Sequence, residues 1–306
     1  MKFKDEIFTN YMVRKSKLEK ENFRKYVINQ FQDSNLDVTI EHGNFNSNNI
    51  IIGNLDKAKV IYTAHYDTQA VLPFPNIATP TSLLATILYQ GLLVVVMLAV
   101  LLGLEFLLIK ILGPDSFLAA FIPLIVCLLF LYLMLFGPSN KTTVNDNTSG
   151  VITVLNIASR IKDEDKDKVC FVLFDLEEAG LIGSSAFQNK HKKILKDKLI
   201  INFDCVSDGD EALFVFNKGS KKYLDDISKS YKGTDKVLSK MVYKGFSFYP
   251  SDQLNFRNAI GVCTVIRGKH FEYIDKIHTK KDTVFNEDNL NFLIDSSLEY
   301  IKKISI

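Results

Sequence analysis

Residues 59–68 of the chain read KVIYTAHYDT, and this stretch decides the fold. Its first six residues, Lys59–Ala64, are rich in β-branched and aromatic side chains and predict a short buried strand. The strand ends at His65, and Asp67 follows two residues later. In α/β sheets, chemistry collects where strands end and loops begin, so His65 and Asp67 are candidate site residues.

The sequence on both sides of this strand alternates between strand patterns and helix patterns. Further strands are predicted at Val38–Glu41, Ile50–Ile52, Val169–Phe174, Leu199–Phe203, Ala212–Phe216 and Gly261–Ile266. Helices are predicted at Lys4–Phe31, at Thr148–Ile161, from Leu181 onward, at Lys221–Tyr231 and at Glu287–Ile304. Such alternation predicts an α/β sandwich with a largely parallel sheet.

Four further acids and a second histidine stand at loop positions beside these elements. Asp146 lies in NDNTSG at a helix start, and His278 lies in IHTKKDT before the last helix. Three acids follow strands directly, namely Glu177 and Glu178 after VCFVLFD and Asp204 at the end of LIINFD. Each motif alone is ordinary, as a helix cap or a solvated charge. Their joint appearance in loops that one sheet could bring together favours a shared site.

These side chains offer the donor atoms that Zn²⁺ takes, imidazole nitrogens and carboxylate oxygens. One carboxylate can bridge two ions about 3.5–4 Å apart, so a two-ion site needs roughly two histidines and three acids, plus one carboxylate left as a base. The chain supplies that set with little left over. We therefore predict a site for two Zn²⁺ ions, whose places Mn²⁺ or Co²⁺ could also take.

Two long apolar runs interrupt the alternating pattern. Residues 83–109 contain Glu105 as their one charged residue, and residues 117–136 contain none. A helix needs about 20 apolar residues to cross a hydrocarbon core of about 30 Å, and both runs reach that length. We predict a transmembrane helical hairpin at residues 81–137. The alternative, a pair of buried core helices, is disfavoured because such runs leave no face for water.

The predicted hairpin sets the domain organisation. Two crossings return the chain to the side from which it started, so residues 1–80 and 138–306 are expected to form one discontinuous domain. The first 21 residues lack the apolar segment of a signal peptide, and the four cysteines share no CxxC spacing. We therefore expect an integral membrane protein with two transmembrane helices and its site in the cytoplasm.

The charge pattern argues against a nucleic-acid partner. The formal net charge is only +2, and the lysines are spread along the polar parts of the chain as a solvated surface would have them. The lipid bilayer is the partner that the apolar runs imply. Assembly into an oligomer is left open.

The motifs resemble those of the M28 metallopeptidase family, which includes zinc aminopeptidases. The matching text is TAHYDT, NDNTSGV, LFDLEEAGLIGSSAF, NFDCVSDG, SDQLNF and IHTKKDT. It covers about residues 58–80 and 141–304. The resemblance implies a three-layer αβα sandwich with a mostly parallel mixed sheet, interrupted here by the two-helix transmembrane hairpin. It also implies a peptide substrate.

The resemblance further implies a role for each metal ligand. His65 and Asp204 would bind one zinc ion, and Glu178 and His278 would bind the other. Asp146 would bridge the two ions. All five residues stand in the motifs quoted above.

Two further acids receive roles from the same resemblance. Glu177 would be the general base, and Asp67 would hydrogen-bond the nitrogen of His65 that faces away from the metal. A family element, Ser251-Asp252, is present, but Gln253 follows it where the family commonly has a histidine. That departure puts substrate contacts in question and touches no metal ligand.

The segment between His65 and Asp146 departs from soluble relatives, in which it is short. Here it contains the whole apolar hairpin, which would hold the site close to the bilayer surface. We therefore expect a membrane-anchored, two-zinc aminopeptidase acting on hydrophobic or membrane-associated peptides, although the hairpin could also serve only to anchor or oligomerise the enzyme. An aromatic stretch that includes Phe246 and Phe248 could line the cleft or pack.

Two alternatives stay open on the sequence alone. One is a single-zinc enzyme like the glutaminyl cyclases, which the complete second set of ligands disfavours. The other is a membrane scaffold or receptor that has lost catalysis, which would be expected to lack a ligand or the base.

Overall fold

A computed structural model of the protein describes residues 1–243 and 249–304, so Phe246 and Phe248 lie outside the described residues. The helices α1 to α8 are Lys4–Asn10, Lys17–Phe31, Leu83–Leu112, Phe117–Phe136, Gly150–Arg160, Ile182–Leu195, Leu224–Ser230 and Glu287–Lys303. The strands β1 to β9 are Val38–His42, Asn48–Ile52, Val60–His65, Val169–Phe174, Leu199–Phe203, Glu211–Phe216, Leu238–Tyr243, Ala259–Arg267 and Glu272–Tyr273.

All nine strands belong to one mixed sheet. Its order is β1-β2-β4-β3-β5-β8-β6-β7, with β9 paired to β8, and the four central strands β4, β3, β5 and β8 run parallel. Strand β3 is buried along its whole length because helices cover both faces of the sheet. Val60 and Tyr62 pack in the core with residues of α2, α5 and α8, whereas Ile61 packs in a second core with Phe187 of α6. The predicted αβα sandwich with a mixed, mostly parallel sheet is confirmed.

The single N-terminal helix predicted for Lys4–Phe31 is wrong, because the chain breaks into α1 and α2. Ser16 caps α2 by accepting a hydrogen bond from the Glu19 amide at 3.2 Å, and the Glu19 carboxylate accepts one from the Ser16 amide at 2.7 Å. This capping box starts a new helix at Lys17, with Ser16 in an extended conformation. The break carries Arg14 into the interior of the protein.

The apolar hairpin stands outside the sheet and its covering helices, which we call the sheet body. In the most apolar 18-residue stretches, 0% of the residues of α3 and 11% of those of α4 are buried. A core helix would be mostly buried, so neither α3 nor α4 belongs to the core of the sheet body. Helix α3 ends at Leu112, three residues beyond its predicted end at residue 109.

The chain leaves and re-enters the sheet body at one place, the hairpin root. Ala70 pairs with Ser139 in an antiparallel bridge, and the Val71 amide donates to the Pro138 carbonyl at 2.9 Å. The Asn140 amide donates to the carbonyl of Gln69 at 3.1 Å. These backbone bonds close the excursion, so the residues after the hairpin resume beside those that precede it.

We propose that the sheet body, residues 1–80 with 138–306, folds without the hairpin. Replacing residues 83–136 by a Gly/Ser linker of about 10 residues should leave the central sheet intact, since long surface excursions closed at their root cost little. The protein that lacks the hairpin should stay in solution without detergent and unfold cooperatively. Far-UV circular dichroism with thermal unfolding measures this, with the full chain in detergent as control. Loss of strand signal would contradict the proposal.

Candidate active site

Three neighbouring parallel strands deliver most of the candidate residues to one edge of the sheet. His65 is the last residue of β3, Asp204 follows β5, and Glu177 and Glu178 lie shortly after the end of β4. Since β4, β3 and β5 are adjacent and parallel, their carboxyl ends meet at the same edge. The predicted residues of three separate motifs are therefore brought together by strand order alone.

Asp146 lies between the two histidines. Its Oδ1 is 3.3 Å from His65 Nε2, and its Oδ2 is 2.9 Å from His278 Nε2. On one side His65 Nε2 is also 3.6 Å from Asp204 Oδ1, and on the other His278 Nε2 is 3.3 Å from Glu178 Oε2. The arrangement thus has two halves, each with one imidazole and one acid of its own, which share the two oxygens of Asp146.

The donor set fits a pair of divalent cations. The donor atoms of His65, Asp146 and Asp204 lie within 4.8 Å of one another, and so do those of Asp146, Glu178 and His278. Clusters of nitrogen and oxygen atoms of this kind can hold divalent cations. Donor atoms of His65, Glu177 and Glu178 form a third group within the same distance.

The electrostatics of the cluster also favour the binding of divalent cations. Burial raises the pKa of Glu178, and the nearby charge of Asp146 raises it further. Burial also raises the pKa of Glu177 well above its usual value. Burial alone would lower the pKa of His65, but Glu177 and the surrounding aspartates outweigh it and raise that pKa. Carboxylates therefore outnumber cationic groups among the described residues of the cluster, and divalent cations would offset the excess negative charge.

Asp67 lies beside the expected ring nitrogen of His65, and its carboxylate also hydrogen-bonds the backbone. Its Oδ1 is 3.6 Å from His65 Nδ1, too far for a hydrogen bond, and that nitrogen is 3.2 Å from the backbone carbonyl of Asp67 instead. The carboxylate accepts hydrogen bonds from the amides of Glu177 at 3.0 Å and Glu178 at 3.2 Å. Asp67 therefore fixes the turn that carries both glutamates.

Asp282 holds the turn of Asp146 in the same way and was not singled out from the sequence. Its two oxygens accept hydrogen bonds from the amides of Asn145 at 2.7 Å and Asp146 at 3.0 Å. Asp282 is part of the motif IHTKKDT and follows His278 by four residues. Spacing alone gave no reason to connect it to a loop more than a hundred residues earlier.

Gln253, the residue that departs from the family pattern, serves the packing of the sheet body. It is buried, its Nε2 donates to the Tyr249 carbonyl at 2.7 Å, and its Oε1 accepts from Asn202 Nδ2 at 3.0 Å. Both the nitrogen and the oxygen of its side-chain amide are thus hydrogen-bonded within the protein.

A cavity of about 330 Å³ opens beside the cluster. Asp146, Glu177 and Glu178 contribute to its lining on one side. Tyr249 forms part of the wall, and its hydroxyl is fixed by a 2.9 Å hydrogen bond to the Asp204 carbonyl. The sequence did not predict that the first apolar helix would also line this cavity.

Arg14 joins the two halves of the chain behind the site. Its side chain is fully buried, with Nε donating to the carbonyl of Tyr66 and Nη2 donating to Thr148 Oγ1 at 3.1 Å. Its amide also donates to Thr68 Oγ1 at 3.0 Å. Burial lowers the pKa of Arg14 to about 10, with the charge of Asp67 opposing the fall. The guanidinium thus connects the turn after β3 to the turn that precedes α5.

We expect Arg14→Lys to lower the free energy of unfolding by about 2–4 kcal/mol, because an ammonium cannot reproduce several forked hydrogen bonds to buried acceptors. Urea unfolding in one detergent measures the change. Arg160→Lys is the matched control, since that side chain is 40% exposed in its pair with Asp295 and its exchange should cost less than about 0.5 kcal/mol. Equal losses in the two variants would contradict the role of Arg14.

Known proteins share a sequence pattern and a fold with this chain. The sequence pattern of peptidase family M28 matches residues 134–293, just over half of the chain. No curated protein sequence matches the chain.

Solved structures show the same fold. The LapA aminopeptidase of Legionella pneumophila aligns with a TM-score of 0.57 at 11% identity, covering 97% of this chain and 66% of that one, just under two thirds. A glutaminyl cyclase of Fimbriiglobus ruber aligns with a TM-score of 0.55 at 13% identity, covering 98% and 93%. At such identities the likeness is one of fold.

Proposed function

Because the chain belongs to peptidase family M28, we propose that it is a membrane-anchored, two-zinc peptidase that removes residues from the N-termini of peptides. The observation that carries this proposal is the pair of donor clusters that share Asp146 beside a cavity. A peptidase needs both a means to activate water and a place for the substrate, and the two adjoin here.

The donor clusters suggest which residues would hold the ions. His65 and Asp204 would hold one ion and Glu178 and His278 the other, with one oxygen of Asp146 for each. When bound, such a pair of ions polarises a carbonyl group and makes a water molecule easier to deprotonate.

The chain's own residues would supply the proton transfers and the positioning. Glu177 lines the cavity next to the donor clusters. Its carboxylate also lies within 4.8 Å of donor atoms of His65 and Glu178, but the ligand assignment above leaves it free to act as a base. Its carboxylate would take a proton from the attacking water and return it to the nitrogen of the departing amine. Asp67 supports this by holding the amide of Glu177, which orients the turn.

The size and charge of the cavity favour action at a free N-terminus. About 330 Å³ lies at the small end of ligand sites, room for one or two residues and not for a long polypeptide. Carboxylates line the same space and would attract an α-ammonium group.

The hairpin supports the membrane anchor. The shorter helix, α4, has 20 residues and would span about 30 Å, the thickness of a hydrocarbon core. Large apolar side chains of both helices are exposed along their length. Two crossings would put the whole sheet body on one side. All four cysteines are free, which fits the cytoplasm.

We expect Glu177→Gln to lower kcat by roughly 10²–10⁴-fold, because the amide cannot accept the proton of the attacking water. Release of the first residue from unblocked peptides in detergent measures this, together with the metal content of each preparation. Glu164→Gln is the matched control, since that carboxylate lies on the surface with 73% of its side chain exposed.

Three results would count against parts of the proposal. Equal cleavage of N-acetylated peptides would exclude an aminopeptidase. Loss of ammonia from peptides that begin with glutamine, without chain cleavage, would favour the cyclase. Unchanged cellular function of Glu177→Gln with metal still bound would favour the scaffold.

A further inference from the structure

The two apolar helices differ in length, and the difference lies next to the active site. Helix α3 has 30 residues and α4 has 20, and a four-residue turn joins them at the end away from the sheet body. Counted from that turn, the first ten residues of α3, residues 83–92, have no counterpart in α4. We call this segment the overhang. It is about 15 Å long, more than the depth of one headgroup layer.

The overhang is fixed to the sheet body at its start. Thr86 Oγ1 lies 2.7 Å from Thr79 Oγ1, and the hydroxyl of Tyr89 donates to the carbonyl of Pro75. The segment before it is held in turn, because the amide of Ala78 donates to the Ile274 carbonyl at 2.9 Å. The overhang is thus a fixed wall and not a free tether.

Its two faces have opposite character. Leu83, Leu84, Ile87 and Leu88 lie on one face of the helix and are 43 to 67% exposed. Thr86 and Gln90, four residues apart at the border of this apolar face, line the cavity beside the cluster of acids. One helix segment therefore offers an apolar surface to lipid and a polar surface to the substrate site.

The side-chain amide of Gln90 is available to hydrogen-bond a substrate. Its side chain is exposed to the cavity and makes no hydrogen bond to any residue in the part of the chain that the structure describes. A primary amide carries two donors and an acceptor, which match the backbone of an extended peptide. The hydroxyl of Thr86, by contrast, is already bonded to Thr79.

We infer that the overhang is a substrate-binding wall at the bilayer surface, and that the substrates are polypeptides whose N-terminal residues enter the cavity while the apolar segment directly behind them stays in the membrane. This inference rests on the proposed peptidase activity. If α4 spans the hydrocarbon core, the overhang crosses the headgroup layer and sets the cavity directly above it. Gln90 then binds the backbone of the residues that connect the cleavage site to the membrane.

The test uses the full chain in phosphatidylcholine vesicles with three peptides that share their N-terminal residues. One is soluble, one continues at once into an apolar segment of about 20 residues, and one reaches that segment through a flexible linker of about 30 residues. Both anchored peptides are concentrated at the membrane equally. We expect kcat/KM for the directly anchored peptide to exceed that for the long-linker peptide by about tenfold, as one well-placed hydrogen bond with apolar contact would give.

Matched variants assign this preference to the overhang. Gln90→Leu should lower kcat/KM for the directly anchored peptide by about tenfold, mainly through KM, because it removes the amide at similar size. Leu84→Gln, the reverse exchange on the outward face, should leave it unchanged, since 67% of Leu84 is exposed away from the cavity. Equal cleavage of the two anchored peptides, or equal effects of the two variants, would overturn the inference while the peptidase itself stood.

A binding measurement decides the case in which no peptide is cleaved. A photoreactive benzoylphenylalanine placed in the directly anchored peptide, where its N-terminal residues meet the apolar segment, should crosslink to residues 83–92 of the Glu177→Gln variant, which keeps Gln90, and excess soluble peptide should suppress the crosslink. Its absence would overturn the inference independently of turnover.

Discussion

The backbone closure at the hairpin root is the constraint on which the rest of the structure depends. His65 and Asp146 are separated by the whole apolar excursion, yet their side chains lie 3.3 Å apart. They can do so because residues 69–71 pair with residues 138–140 and restore the path of the chain. Behind the site, Arg14 also connects the residue after His65 to the turn that carries Asp146, through hydrogen bonds to Tyr66 and Thr148. A large insertion between two site residues is tolerated when its two ends are fixed to each other.

Two carboxylates position the site by accepting hydrogen bonds from backbone amides. The turns that they fix carry the acids of the cluster. Asp67 and Asp282 each accept hydrogen bonds from two consecutive amides, and each thereby fixes a turn that carries acids of the cluster. Leu176 and His278 adopt left-handed backbone conformations beside the cluster. Such conformations persist where the surroundings determine them. The acidic cluster is thus positioned through its backbone, at an electrostatic cost that bound cations would offset.

The strands that carry the site were predictable from the sequence, since Val169–Phe174 is a continuous apolar run and Leu199–Phe203 is apolar except at Asn202, and both form strands with those bounds. The contacts between motifs were not. The periodic apolar residues of the N-terminus hid the capping box at Ser16, and so the burial of Arg14 was missed. Strand β7 was missed because it is half polar and exists through its pairing with β6. The wall that α3 gives to the cavity depends on three-dimensional packing that no local pattern encodes.

X-ray absorption spectroscopy on the zinc-loaded full chain measures whether two ions share the carboxylate of Asp146. We expect only nitrogen and oxygen donors around the zinc, although Cys205 Sγ lies 3.2 Å from Asp204 Oδ1. We also expect a zinc–zinc vector of about 3.5–4 Å that disappears when Asp146, the carboxylate shared by the two donor clusters, is replaced by alanine. A single ion, a sulfur ligand, or a spectrum unchanged by that replacement would contradict these expectations.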